Sequence, residues 1–138
     1  MTVAVLDASA FAPVLLEDEA ARMLPGLVEA LVGPGMAAPA HWRIEVANML
    51  WTAVRRGRLN PTERSAAVQT IKAAVLDFDT TTDQRLYDAS WSLAEAHGLT
   101  IYDAAYLELA IRRDLPLATH DKNLMAAASK ASVPLFGR

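Results

Sequence analysis

Thr2-Val-Ala-Val-Leu-Asp-Ala-Ser9 is the stretch on which the fold turns. Residues 2–6 are aliphatic and partly β-branched, a run of strand length rather than helix length, and the run stops at Asp7. From Ser9 onward the apolar residues recur at helical spacing. A buried strand that gives way to a helix through an acid places that acid on one edge of a parallel sheet, where α/β proteins gather their sites. The same kind of junction returns twice downstream. It is found at Asp103, in Thr100-Ile-Tyr-Asp-Ala-Ala-Tyr106, and at Asp121, in Leu117-Ala-Thr-His-Asp-Lys-Asn-Leu124.

Outward from that stretch, strand and helix alternate to the end of the chain. A helix starts at Ser9, with Pro13 acceptable only in its first turn. A second helix is expected over 18–32, weakened by Pro25 and stopped by Gly33-Pro34-Gly35. Residues 36–38 suit a short strand, and 41–56 a helix closed by Gly57. Asn60-Pro61 opens another helix as N-cap and first helical residue. A third strand is expected over 75–78, and the polar turn 80–83 follows it. Helices are expected over 84–97, ending at Gly98, and over 102–113. A fourth strand over 115–118, a last helix over 122–130 and a fifth strand over 133–136 complete the chain. Such alternation predicts a parallel sheet covered by helices on both faces, a three-layer α/β/α sandwich with short strands.

A chain of 138 residues has the length of one domain, here 1–138, and 53% apolar against 21% charged residues excludes a disordered chain. The absence of cysteine rules out disulfides and thiolate metal sites, and His41, His97 and His120 lack zinc-ligand spacing. Neither a charged-then-apolar leader nor a bilayer-length apolar run is present, so a soluble cytoplasmic protein is expected. Thirteen Lys and Arg against 16 Asp and Glu give a net charge of −3, which argues against nucleic-acid binding through charge alone. An acidic metal site would itself supply several of those negative charges.

Each aspartate has an ordinary structural explanation. Asp7 and Asp121 can cap the helices that follow them, and Thr100 with Asp103 fits a capping-box variant. The helix dipole favours acids at all three places. Glu45 is harder to explain in that way. Positions 42, 45, 46 and 49 share one helix face, and Trp42, Val46 and Met49 are apolar, so Glu45 interrupts a core stripe. A carboxylate there needs a cation, a hydrogen-bond network or a proton, or must reach out at the rim. Taken together, Asp7, Glu45, Asp103 and Asp121 are the hard oxygen donors that Mg²⁺ and Mn²⁺ prefer, and metals so held hydrolyse phosphodiesters.

Asp7-Ala-Ser9, Glu45 with Asn48 a turn later, Tyr102-Asp103-Ala-Ala-Tyr106, and Thr119-His-Asp121 with Leu124 resemble, in order and spacing, the PIN-domain proteins. More narrowly, they look like the VapC toxins of bacterial and archaeal toxin–antitoxin modules. The resemblance implies an α/β/α fold, Mg²⁺ or Mn²⁺ as cofactor, and endonucleolytic cleavage of RNA such as tRNA or rRNA. It implies that Asp7, Glu45, Asp103 and Asp121 are the metal-site and catalytic carboxylates, with Ser9, Asn48 and Thr119 in support. It also implies a homodimer and a VapB-like antitoxin partner. Where some relatives carry a further acid, this chain has Asn123. Arg55, Arg56 and Arg58 are candidates to hold the RNA backbone, unless they are simply the solvated end of a helix.

Three rivals stand beside this reading. An aspartate-based phosphatase of the haloacid-dehalogenase type needs a second acid two residues after its nucleophile, where this chain has Ser9. A signalling receiver domain needs a Lys after its last strand, which the chain lacks. The stronger alternative is a PIN-like scaffold that binds without catalysing.

Overall fold

The first strand lies within the run 2–6 expected for it but is shorter, in a computed structural model that describes residues 1–138. The regular ladder is short: β1 is Val5–Leu6, β2 Met36–Pro39, β3 Leu76–Asp79 and β4 Leu117–Ala118. All pairings are parallel and the order is β3-β2-β1-β4, with Val5 opposite both Ala37 and Leu117. Val5 and Leu6 are wholly buried, as are Met36, Ala37 and Ala38, which is why these strands read as unbroken apolar runs. Gly35 makes the approach of β2 to β3 possible. Its φ is +90°, and a Cβ there would lie 2.7 Å from Val75 Cγ1.

Seven α-helices connect and cover the sheet: α1 (Ala8–Leu15), α2 (Leu27–Val32), α3 (Trp42–Arg55), α4 (Pro61–Ala73), α5 (Ala89–His97), α6 (Ile101–Arg113) and α7 (Lys122–Lys130). The chain winds from β1 to β2 to β3 in one direction, then returns past β1 to β4. Right-handed crossovers therefore put α1 to α4 on one face and α5 to α7 on the other. The packing agrees: α1 meets α3 and α3 meets α4, whereas α6 meets α5, α7 and the three strands β1, β2 and β4. Residues 104–110 of α6 are all buried, so this helix lies between the sheet and its neighbours. The winding direction reverses between β1 and β4, and a crevice opens there beyond the carboxyl ends of the two strands.

Four expectations are corrected. The helix over 18–32 is broken into a 3₁₀ segment, Glu17–Arg22, and α2. Pro25 cannot donate to a helix and Gly26 adopts a φ of +84°, so the chain turns before Leu27. The helix over 84–97 starts instead at Ala89, after a 3₁₀ turn over Thr82–Arg85, with Asp88 accepting from the Ala89 N–H. Pro13 lies inside α1 beyond its first turn, buried, and forfeits one helical hydrogen bond. The expected fifth strand contributes only a parallel bridge, Leu117 to Leu135. The Leu117 N–H donates to the Pro134 carbonyl and the Phe136 N–H donates to Leu117, but Pro134 has no N–H to extend the ladder.

Two structural centres consolidate the layers. Trp42 is wholly buried, edge-on to Phe11 at 5.0 Å and tilted against Phe78 at 5.8 Å. Across the sheet, Arg112 donates to Asp79, Thr81 and Glu108, while Arg113 bridges Asp77 and Asp79. Asp79 and Glu108 are each 5% exposed, and Arg112 supplies hydrogen-bond donors and positive charge to both.

Candidate active site

Each acid arrives in the crevice on the first turn of a helix. Asp7 is the N-cap residue of α1, Glu45 lies in the first turns of α3, Asp103 in the first turn of α6, and Asp121 caps α7. Four positive helix ends are thus brought to one place and partly offset the repulsion among the four carboxylates. Asp7, Glu45, Asp103 and Asp121 line a single cleft of about 290 Å³ together with Ala8, Ser9, Asn48 and Met49. No basic side chain lines it.

Asp7 does not cap α1 through its carboxylate. The Ser9 hydroxyl donates to its Oδ2 at 2.6 Å and the Thr119 hydroxyl donates to the same oxygen at 2.7 Å. Both hydroxyl oxygens in turn accept from backbone: Ser9 Oγ from the His120 N–H and Thr119 Oγ1 from the Asp121 N–H. The two hydroxyl hydrogens are therefore committed, and Ser9 and Thr119 act as clamps on Asp7. Asp7 Oδ1 accepts from neither hydroxyl and remains for the cleft. Only 4% of Asp7 is exposed, and burial pushes its carboxyl above the ordinary range, against the pull of Ser9 and Thr119.

Asp103 receives less compensation, from Thr100 alone. Thr100 accepts from its N–H, so half of the capping box forms, but the carboxylate returns no bond. Burial, and then the charges of Asp7 and Asp121, push Asp103 up to about 6. Asp121 both caps and faces the cleft: Oδ1 accepts from the Leu124 N–H at 2.9 Å.

Glu45 sits at the border of the core stripe of α3, which runs through Trp42, Val46, Leu50 and Ala53. Its Oε1 accepts a hydrogen bond from the Tyr106 hydroxyl, and His41 Nε2 lies 3.6 Å from the same oxygen. Burial raises the Glu45 carboxyl, and the charges of Asp7 and Asp103 add to that rise. Tyr106 is wholly buried and burial, first among its causes, lifts its phenol far above the ordinary value, so it stays a donor. Tyr106 and His41 were missed as site partners. The available signal was spacing: Tyr106 follows Asp103 by three residues, and His41 precedes Glu45 by four, each on a shared helix face.

Asn48 is exposed on the cleft side of α3. The basic candidates lie elsewhere, at the far end of that helix. Arg55 stands over the Trp51 ring at 5.7 Å, and Arg58 is held by Asp18 and Glu19 at 2.7 and 2.9 Å. Arg56 follows Glu45 by eleven residues, which returns it to the same face about 16 Å along the axis.

The donor set suits a hard divalent cation: four carboxylates, no thiolate, no competing ammonium or guanidinium, and three acids raised by burial and then by their neighbours' charge. No three of these side chains alone converge tightly enough to enclose an ion. Mg²⁺ fits such a loose set, because it keeps several waters between itself and its protein ligands.

Comparison with known proteins agrees with the fold. A PIN domain family model matches residues 4–130. Ribonuclease VapC3 of Pyrobaculum aerophilum is 32% identical over 123 residues, 87% of this chain and 90% of its own. Exonuclease VapC9 of the same organism is 34% identical over 87 residues, 63% of this chain and 62% of its own. The crystal structure of PAE2754, also from P. aerophilum, superposes with a TM-score of 0.66 at 23% identity, over 91% of this chain and 84% of that one. With the acids, their clamps and the strand order in place, the chain belongs to the PIN-domain family and is a VapC-like member of it.

Proposed function

We propose that this protein is a metal-dependent endoribonuclease, the toxin of a toxin–antitoxin pair, using Mg²⁺ or Mn²⁺ to hydrolyse RNA phosphodiester bonds. The observation that carries the reading is the single cleft lined by Asp7, Glu45, Asp103 and Asp121. Asp7 Oδ1, Asp103, Asp121 and the Glu45 oxygen not bonded to Tyr106 are the atoms that would hold the cation. Such a cation supplies Lewis acidity and offsets the negative charge that gathers on the phosphate. Ser9 and Thr119 keep Asp7 from turning away, and Tyr106 does the same for Glu45. Asn48 can donate an amide hydrogen to a phosphate oxygen, and Arg56, on the face of Glu45, can meet the backbone farther along.

A VapB-like antitoxin would silence the protein by covering this cleft, and a basic side chain would meet the acids in place of the cation. A homodimer is part of the same reading. Trp42 and Leu50 of α3 are core, whereas Trp51 is 59% exposed beside an apolar groove of α3 and α4. No helix is long and apolar enough to cross a membrane, consistent with a protein that meets its RNA in the cytoplasm.

The test uses the full-length chain free of antitoxin, with one single-stranded RNA in linear and circular form, in Mn²⁺ or Mg²⁺ and in EDTA. Opening of the circle that requires metal supports endonucleolytic cleavage. Shortening of the linear form alone supports the exonuclease reading raised by the name of the VapC9 relative. No reaction by folded, metal-supplied protein with either RNA, or with total tRNA and rRNA, supports the binding scaffold.

Tyr106→Phe should leave the fold intact and slow cleavage by about 10–100-fold, the usual cost of losing the partner of a metal-site ligand. Rates of the variant at several Mn²⁺ concentrations check this, since a loosened Glu45 shifts the metal dependence to higher concentration. An unchanged rate and metal dependence would remove Tyr106 from the site.

A further inference from the structure

A second cavity, lined by different residues but drawing on the starts of the same two helices, α3 and α6, lies beside the acidic cleft and has no part in the mechanism above. It encloses about 330 Å³ and is walled by His41, Asp83, Leu86, Ile101, Tyr102 and Ala105, among others. That volume lies at the lower end of small-ligand sites, about 300–1,000 Å³. The adjacency follows from the helices. Tyr102 precedes Asp103 in the first turn of α6, and His41 begins α3 one turn before Glu45, with its Nε2 3.6 Å from the Glu45 carboxylate.

We propose that this cavity receives one unstacked base of the RNA strand, beside the phosphate in the acidic cleft, with Tyr102 as its stacking platform and Asp83 selecting guanine. The proposal rests on the nuclease reading given above and names the element of substrate that its site takes.

Chemistry favours a base over the other parts of a nucleic acid. Asp83 is the only carboxylate in the lining and no Lys or Arg accompanies it, so the cavity repels phosphate and accepts a neutral ring that donates hydrogen bonds. Tyr102 is 61% exposed, unusual for a tyrosine at a helix start with nothing to gain for the core. Its ring meets His41 at a 64° tilt, 5.7 Å between centroids, a contact that occupies at most one face of the phenol. Single-stranded RNA is recognised in this way, by stacking on aromatic side chains and by hydrogen bonds to the Watson–Crick edge. Guanine alone presents two adjacent N–H donors there, at N1 and N2, which match the two oxygens of a carboxylate. Adenine and cytosine would turn a lone pair toward Asp83, and uracil flanks its one N–H with two carbonyls.

The experiment measures binding of the full chain, in EDTA so that RNA stays whole, to labelled uridine hexamers carrying one guanosine at each position in turn. Cleavage of the same panel is then mapped in Mn²⁺. One register of guanosine should bind about 10-fold more tightly than the uridine hexamer, and inosine, which lacks the 2-amino group, should lose most of that gain. Tyr102→Ala should weaken binding about 10-fold or more, while Tyr102→Phe keeps it. Asp83→Asn should erase the difference between guanosine and inosine without weakening the all-uridine hexamer. Equal binding of all hexamers, or wild-type affinity in Tyr102→Ala, overturns the subsite. Cleavage that ignores Tyr102 and Asp83 overturns the subsite but keeps the nuclease. Guanosine binding that needs both residues, without cleavage in Mn²⁺, keeps the subsite and overturns the nuclease.

Discussion

Asp103→Asn should abolish RNA cleavage and, in the same protein, raise the stability of the metal-free form at neutral pH. The loss of activity should be about 100-fold or more, because even the hydrogen-bond partners of metal ligands cost 10–100-fold when removed. The gain in stability has the same origin. Asp103 is raised from 3.8 to about 6 by burial and by the charges of Asp7 and Asp121. The folded chain therefore binds this proton more tightly than the unfolded chain does. Its contribution is fully favourable below the unfolded value and declines as pH rises through the folded one. Asp7 and Glu45 are shifted upward as well, and act in the same direction. Chelated wild type should thus lose stability between about pH 4 and pH 6, Asp103→Asn should lose less, and Mn²⁺ should restore the wild type. Thermal melts in EDTA across that range, with and without added Mn²⁺, measure this beside the cleavage assay. A folded Asp103→Asn protein that still cleaves RNA, or one that melts below wild type in EDTA at pH 7, overturns the assignment.

Arg112→Met should be the most destabilising single change outside the hydrophobic core, by about 3–5 kcal/mol, the cost of leaving a buried charge without its partner. Asp79 and Glu108 are both 5% exposed and both accept from this guanidinium. Arg113 reaches Asp79 but not Glu108, so it cannot substitute. Burial alone would raise Asp79, yet hydrogen bonds from Arg112, Thr82 and Arg113 outweigh it and hold the carboxyl well below the usual range. That contribution is present above the unfolded value and is lost as pH falls through the folded one. The gap between wild type and Arg112→Met should therefore narrow below about pH 4. Urea unfolding at neutral and acid pH checks both statements. A difference of only about 1 kcal/mol at pH 7, typical of exposed ion pairs, would show that the network is a surface feature.

The two networks differ in how far the sequence reveals them. The acids of the cleft are legible because each sits beside a change of periodicity, and Glu45 because it interrupts an apolar stripe. Arg112, Asp79 and Glu108 read as ordinary charged residues, since the pair that matters most, Arg112 and Asp79, is 33 residues apart. Arg58 illustrates the converse. As a sequence it belongs to a basic cluster available to RNA, but Asp18 and Glu19, some 40 residues earlier, hold it by three hydrogen bonds.

Local chemistry is encoded within a few residues, and it was enough for the alternation of strands and helices, the Asn60 N-cap with Pro61 after it, the helix end at Gly98 and the parallel class of the sheet. Where local signals conflicted, as at Pro25 in an otherwise helical run or Pro134 in an otherwise extended one, backbone geometry in the folded chain decided. The order β3-β2-β1-β4 was not written in any short segment. It places β1 beside β4, so that Thr119 donates to Asp7 across 112 residues and Tyr106 donates to Glu45 across 61. Electrostatics and hydrogen bonding act over a few ångströms of space. Residue types and local periodicity identify the groups able to do the chemistry, and only strand order and helix packing determine which of them face one another.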